Sequence, residues 1–286
     1  MKEHTYEFPV QKMSSVLGVS RSGYYKWLKR GAPSKHVEDE LDISIKASFE
    51  RSRQTYGSPG VAQDLANEGI KSSKSTVARR MQVLKISPKR PKRWVRTTQS
   101  KHDNPAAENL LDRDFEAARP ATKWVSDISY FEVDRRWFYL TIILDLADRA
   151  IIGWVISDDM SAENTTIAAL QKAVANRKPE EELIFHSDRG VQYTCGRMRE
   201  EISAIGAVQS MSRKGNCWDN AVAESFFKTI KAECIHRHEF ENKHHAWCII
   251  FEYMEGWYNT KRLHTTLRGL TVHQAYEAKM KSNQVA

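Results

Sequence analysis

Three acidic residues in the C-terminal half of the chain stand where a carboxylate is either out of place or well placed for chemistry. Asp127 lies within KWVSDISYFEV, residues 123–133, a run rich in β-branched and aromatic residues, and strand interiors disfavour Asp. Asp188 follows the short apolar run LIFHS at 183–187 and precedes an Arg189-Gly190 turn. Ligands of open α/β sheets bind beyond the carboxyl ends of strands. Glu224 lies in NAVAESFFKTIKAEC, where Val222, Phe226, Phe227 and Ile230 mark one face of a helix. Carboxylates brought together bind hard divalent cations through oxygen. Two such ions, Mg²⁺ or Mn²⁺, about 4 Å apart can activate a nucleophile and stabilise the leaving oxygen of a phosphodiester displacement. Asp127, Asp188 and Glu224 are therefore the candidate catalytic and metal-binding residues.

Other residues compete for, or support, that assignment. Lys228 and Lys231 follow Glu224 at i+4 and i+7, on one helix face, where both could hold DNA phosphates. Asp134, Asp145 and Asp148 fall at turns, where Asp is common for backbone reasons; Asp145 also ends a strand beside that of Asp127. Asp219 reads as the N-cap of the Glu224 helix. His186 shares a strand face with Asp188 and reads as a local hydrogen-bonding partner. Cys234, His236, His238, His244, His245 and Cys248 crowd together, but their spacings match no standard zinc pattern. They read as a helix–loop–helix junction.

The elements that must carry the acids follow from the change of period after Pro120. Strands are expected at 123–133, 136–146 and 150–157, in an antiparallel meander. A helix follows at 163–176, a buried strand at 183–187, a helix at 196–205 and a strand at 207–211. Two helices close the chain, at about 219–234 and 243–258. The fold class is α/β: a mixed sheet with helices on its faces, as in the ribonuclease H-like fold, and C-terminal helices.

The N-terminal part is all-α. Val10, Met13, Val16 and Leu17 have helical spacing, Gly18 interrupts it, and Ser20 can cap a second helix bearing Tyr24, Tyr25, Trp27 and Leu28. The pattern recurs, with a helix at 38–53 whose apolar side carries Leu41, Ile43, Ile45 and Phe49. A short helix at 59–68 ends at Gly69, and Ser73 or Ser75 can cap a third that exposes Lys74, Arg79, Arg80 and Lys85. A tight helical pair with a basic later helix is the helix-turn-helix pattern. Residues 85–101 hold seven basic residues and no acidic one. Pro88 and Pro91 prevent a regular helix there, so Arg90, Lys92 and Arg93 read as phosphate contacts on a linker, with Trp94 available to stack. The divisions are 1–34 and 35–87, each helix-turn-helix-like, a basic linker at 88–122, and a catalytic core with helical extension at 123–286.

Charge agrees with this division. Residues 1–120 carry 23 basic and 14 acidic side chains, and the remainder 21 and 22, so the whole excess of +8 arises in the N-terminal part. A basic module joined to a neutral one points to nucleic-acid binding. With 41% apolar residues the chain is of the ordinary globular class. Its most apolar stretch, 138–156, is interrupted by Asp145, Asp148 and Arg149, which excludes a membrane-spanning helix. The first residues, MKEHTYEFPV, have no apolar signal region, and the four cysteines form no CxxC pair. The expected location is the cytoplasm, with thiols reduced, and the nucleoid when bound to DNA.

Several runs taken together are recognisable. WVSDISY at 124–130, HSDRGVQYT at 186–194 and DNAVAESFFKTIK at 219–231 resemble the DDE transposase core, and 35 residues separate Asp188 from Glu224, the DD(35)E spacing. With RQTYGSPGVAQDL at 53–65 and WYNTKRLHTTL at 257–267, nearly the whole chain resembles the second-frame (OrfB) protein of the insertion-sequence-3 family of bacterial transposases, related in its core to retroviral integrases. The resemblance implies that Asp127, Asp188 and Glu224 form the metal-binding triad, and that Lys231 is the family's basic position beside it. It implies cleavage and strand transfer at element ends, double-stranded DNA with terminal inverted repeats as substrate, a homo-oligomer on DNA, and a circular intermediate. It also implies an upstream-frame (OrfA) protein, separate or fused by frameshifting, since no sustained leucine heptads occur here. Gly60 and Val272 stand where many relatives carry Arg and Pro. Two other readings stay open: a DNA-binding regulator of transposition that does not cut, and a ribonuclease H-like nuclease acting on RNA–DNA hybrids.

Overall fold

The computed structural model describes residues 1–30, 38–88 and 106–284. Five strands form one mixed sheet in the order β3-β2-β1-β4-β5. Strands β1 (Lys123–Val133), β2 (Arg136–Asp145) and β3 (Ile151–Ser157) are antiparallel neighbours, whereas β4 (Ile184–Ser187) and β5 (Val208–Met211) run parallel to β1. The β1–β2 hairpin turns at Asp134 and Arg135, whose φ angles are 46° and 59°. Positive φ at both central residues matches the twist of a two-residue hairpin, and Asp tolerates it well. The register pairs Trp124 with Asp145 and Asp127 with Ile142.

Helices cover the sheet. Helix α6 (Ala168–Asn176) packs on β3 so closely that a Cβ at Gly153 would lie 2.9 Å from the Ala173 Cβ, and closer still to the Ala169 carbonyl oxygen. Only glycine fits that crossing. The expected single helix at 163–176 begins instead as a π-helical segment, Glu163–Ile167. There the hydroxyl of Thr165 donates to the Ser161 carbonyl and that of Thr166 to the Ala162 carbonyl. Such back-bonding competes with the regular ladder. Helices α7 (Val191–Thr194), α8 (Gly196–Ala204) and α9 (Ala221–Glu233) follow, then α10 (Lys243–Phe251), which continues as a second π-helical segment, Glu252–Tyr258, and finally α11 (Val272–Gln284). Among the described residues no helix is long and apolar enough to cross a membrane.

Before the sheet come α1 (Val10–Val16) and α2 (Arg21–Arg30), then α3 (Glu40–Arg51), α4 (Ser58–Asn67) and α5 (Lys74–Val83). The Ser20 hydroxyl accepts from the Gly23 N–H at 3.0 Å, as its capping role requires. On α2 Tyr24 is buried, whereas Tyr25, Trp27 and Leu28 remain exposed. Helices α3–α5 enclose a small core of Ile45, Phe49, Val61, Leu65, Val77 and Met81. Ile43 was expected on the apolar side but is 60% exposed. Leu41, Ile45 and Phe49 recur at i+4, and a residue two positions off that row faces outward. Ser73 caps α5 through the Thr76 N–H, and Gly69 takes φ +82° after α4. This trihelical unit rests on the C-terminal helices: the Leu263 N–H donates to Tyr56 Oη at 2.7 Å, Arg237 donates to the Arg53 carbonyl, and Arg53 pairs with Glu252.

Residues 106–122, expected as the end of a linker, are pinned to the core. Leu111 is 1% exposed, and the N–H groups of Leu110 and Leu111 donate to the Ser210 hydroxyl at 2.9 and 3.1 Å.

Candidate active site

Parallel pairing sets the first two acids side by side. Val125 of β1 pairs with His186 of β4. Two residues further along each chain come Asp127 and Asp188, past the last paired position at the same end of the sheet. The Oδ1 atoms are oriented by main-chain N–H groups, from Ile128 to Asp127 and from Gly190 to Asp188, each at 2.9 Å. The third acid, Glu224, lies in the first turn of α9. That helix is drawn onto β1 by the burial of Ala223, Phe226, Phe227 and Ile230, and Asn220 just before it donates Nδ2 to the Ser126 carbonyl at 3.0 Å.

The three acids share one field. Burial raises the Asp127 carboxyl well above the ordinary Asp value, and the charges of Asp188 and Glu224 raise it further, against the Ile128 N–H and Lys231. Tyr193, fully buried, hydrogen-bonds Ser126 Oγ at 2.7 Å; burial raises its phenol, and the charges of Asp127 and Asp188 add to this. Among the described residues no three His, Cys, Asp or Glu side chains are gathered closely enough to hold a metal ion together. The donor set is nonetheless all carboxylate, the kind that suits a hard divalent cation.

Lys231 does not stand on the surface where a phosphate contact was expected. It is 3% exposed, with Nζ 5.2 Å from the centroid of the Tyr130 ring. Burial pulls its ammonium down to about 7, against the attraction of Asp127. Lys228, on the same helix, is exposed.

The competing acids have other work. Asp145 lies opposite Trp124, three residues back from Asp127 along β1. It accepts from the Ala121 and Ala147 N–H groups, from Trp124 Nε1 and from Arg177. Arg177 also forks onto Asp148 at 2.8 and 3.1 Å. Asp219 is not the N-cap of α9. It lies in a 3-10 turn, Cys217–Asn220, capped by Asn216, and accepts from Arg213, Arg113 and Asn109. The Arg213 hydrogen bonds hold its carboxyl far below the usual range. His186 bridges Ser210 and Ser212 at 2.8 and 3.2 Å, the local role expected of it. In the Cys/His crowd, His238 Nδ1 meets the Cys234 carbonyl, and Cys248 lies 3.6 Å from His244 Nε2.

The remaining basic candidates divide. Lys74 and Arg79 are exposed on α5, whereas Arg80 turns inward to Asp39 and Asp42 at 2.7 and 3.0 Å. Arg90, Lys92 and Arg93 lie outside the described residues. The roles of Asn109, Arg113 and Asn220 were not anticipated. A polar Asn four residues before Glu224 was the available signal for Asn220; no local pattern marks Asn109 or Arg113, whose partner is distant in sequence.

The chain is similar to known proteins over most of its length. Residues 117–217 and 206–271 match models described as integrase core domain, and residues 36–94 match a model described as HTH-like domain. Over 277 residues, 96% of each chain, the sequence is 36% identical to transposase InsF for insertion sequence IS3A from Escherichia coli strain K12. It is 37% identical over 260 residues, 91% of this chain and 95% of the other, to an uncharacterized 31 kDa protein of insertion element IS600 from Shigella sonnei. The HTLV-2 integrase catalytic core domain in complex with magnesium, in its trimeric form, superposes with a TM-score of 0.44 at 15% identity, over 55% of this chain and 97% of that one.

Proposed function

The chain belongs to the insertion-sequence-3 family of DDE transposases, and we propose that Asp127, Asp188 and Glu224 are the groups with which it cuts and joins DNA. The observation that carries this reading is geometric: Asp127 and Asp188 each follow by two residues the last paired position of the neighbouring parallel strands β1 and β4, and Glu224 stands in the first turn of α9, which packs on β1. The charges of Asp188 and Glu224 both raise the Asp127 carboxyl. A fold tolerates like charges held together at half-buried positions where function requires them, and a divalent cation is what would discharge them.

A pair of Mg²⁺ or Mn²⁺ ions held by these carboxylates would supply activation of the attacking oxygen and stabilisation of the leaving one. The chain's own residues do the rest. Main-chain N–H groups of Ile128 and Gly190 fix the two Asp carboxylates. Lys231 places a positive charge beside Asp127 within the protein, supported by the Tyr130 face. Lys228, Lys74 and Arg79, exposed, and the basic positions Arg90, Lys92 and Arg93 hold phosphates. The reaction is attack by water to free a 3′-hydroxyl at an element end, then attack by that hydroxyl on a second phosphodiester. Each step makes one P–O bond and breaks one, and the proton of the attacking oxygen leaves with the displaced group.

Double-stranded DNA with terminal inverted repeats is the substrate of this reading. A homo-oligomer assembled on it, with the upstream-frame protein or fusion as partner, is the active form. The test is cleavage and joining of end-bearing DNA by Asp127→Asn, Asp188→Asn and Glu224→Gln, alongside DNA binding. Each substitution removes a charge and keeps the shape. Loss of cleavage with retained binding supports the reading, and full activity in any one removes that residue from the site.

A further inference from the structure

The head of α9 is held by contacts that the cleavage chemistry does not use. Asp219 has no exposed side-chain surface. It accepts from Asn109 Nδ2 at 3.1 Å, from Arg113 Nε at 2.8 Å, and from the N–H, Nε and Nη2 of Arg213, each at 2.9 Å. The next residue, Asn220, is 4% exposed and donates to the carbonyl of Ser126, the neighbour of Asp127. Its Oδ1 is buried without a partner, an arrangement that costs stability and persists where position matters more.

The same segment reaches the other acid. The Ser210 hydroxyl that receives the Leu110 and Leu111 N–H groups also meets His186 Nδ1 at 2.8 Å, two residues before Asp188. Residues 109–113, following the basic region in sequence, are therefore tied at once, through Ser210 and His186, to the strand that Asp188 follows and to the start of the Glu224 helix. Arg113 is 45% exposed along its side chain, and a surface ion pair alone contributes little. Its partner, however, is wholly buried, so the contact fixes a place rather than decorating a surface.

We propose that Arg113 and Asn109 are positioning residues for Glu224: they anchor Asp219 and, through the adjoining Asn220, set the first turn of α9 against β1. The inference rests on the reading of Asp127, Asp188 and Glu224 given above. It makes the approach of the DNA-binding region part of the assembly of the reacting groups. A shift of the order of 1 Å in such a group can cost up to about a hundredfold in rate.

The test uses the full chain, with the upstream-frame protein supplied, joining a precleaved element end. Arg113→Ala lowers kcat by about tenfold or more and leaves KM for the DNA end within about twofold; its thermal midpoint falls, since a cation is taken from a buried carboxylate, but the chain still folds because Arg213 continues to hold Asp219. Arg113→Lys restores part of the loss. Asn220→Ala lowers kcat as well, and the double variant is no worse than the more severe single one, because both act through one joint. Should Arg113→Ala fail to fold, Asn109→Ala removes a neutral donor from the same anchor and gives the same readout. Wild-type kcat in Arg113→Ala, a loss confined to KM, or full additivity with Asn220→Ala overturns the proposal. Glu224→Gln runs beside them. If it joins normally, the assignment of the reacting groups fails. If it is inactive while Arg113→Ala is normal, only the positioning inference fails.

Discussion

Lys231 Nζ lies 5.2 Å from the centroid of the Tyr130 ring, buried next to the Asp127 carboxylate it partly offsets. The relationship joins a strand and a helix across the site, and it changes what substitution should do. An ammonium over an aromatic face inside the protein is bounded in shape as well as in charge. Lys231→Met, close in volume, should fold and bind DNA but lose most cleavage. Lys231→Arg should fare worse than a surface contact would, because a planar guanidinium does not fit a space built for a point charge. Wild-type joining by Lys231→Met would return this lysine to a packing role.

Mutual repulsion among the acids leads to a second expectation. Asp127 is raised by burial and by the charges of Asp188 and Glu224. Asp188→Asn removes one of those charges without changing volume. The variant should lose cleavage and yet melt higher than the wild type without metal, by an amount near 1 kcal/mol, typical of relieved strain at active sites. Thermal unfolding in chelator measures this; a lower midpoint would show that Asp188 is held by interactions worth more than the repulsion.

A third expectation separates the basic residues of α5. Lys74 and Arg79 are exposed, whereas Arg80 spans Asp39 and buried Asp42. Lys74→Ala and Arg79→Ala should each reduce the slope of log K against log salt by about 1, one phosphate contact apiece. Arg80→Ala should leave that slope alone and lower stability, since it strips a cation from a buried carboxylate. Titration of DNA binding across salt, with melting curves, distinguishes the two outcomes. A reduced slope in Arg80→Ala would place its guanidinium on DNA.

The two parts of the site differed in how far sequence could reach them. The placement of Asp127, Asp188 and Glu224 was legible because each broke or completed a local pattern: an acid in a strand, an acid after a buried strand, an acid on an amphipathic helix. The succession of strands and helices along the chain was legible too, since the apolar period changes after Pro120; the order of the strands within the sheet was not. Burial depth was not. Lys231 keeps the i+7 relation to Glu224 that marks a helix face, but Tyr130, 101 residues earlier, closes over it. Asp219 sits where an N-cap belongs, and only its distant partners Asn109 and Arg113 show that it serves another end. The π-helical segments Glu163–Ile167 and Glu252–Tyr258 lie within sound helical patterns; the first carries the Thr165 and Thr166 back-bonds, which a periodicity does not record.

The last expectation concerns pH and lies away from the acids. His264 is 6% exposed, its ring 4.8 Å from that of Tyr258 and edge-on to it. Burial, and after it the charges of the nearby Arg262 and Arg149, lower its pKa from 6.5 to about 3, against a hydrogen bond to the Tyr258 carbonyl. The native state therefore keeps this ring neutral where the unfolded chain would protonate it. Between pH 6.5 and about 3 the unfolded state binds more protons, so stability falls as pH falls through that window, and it is independent of this group above it. The full slope for one such group is about 1.4 kcal/mol per pH unit. Denaturant unfolding of the wild type and of His264→Gln between pH 7 and 4.5 isolates the contribution, since the other titrating groups are common to both. The wild type should lose stability faster on acidification by up to that slope. Parallel pH curves for the two proteins would mean that His264 gains a proton without cost in the fold, and that the ring is not sealed by Tyr258.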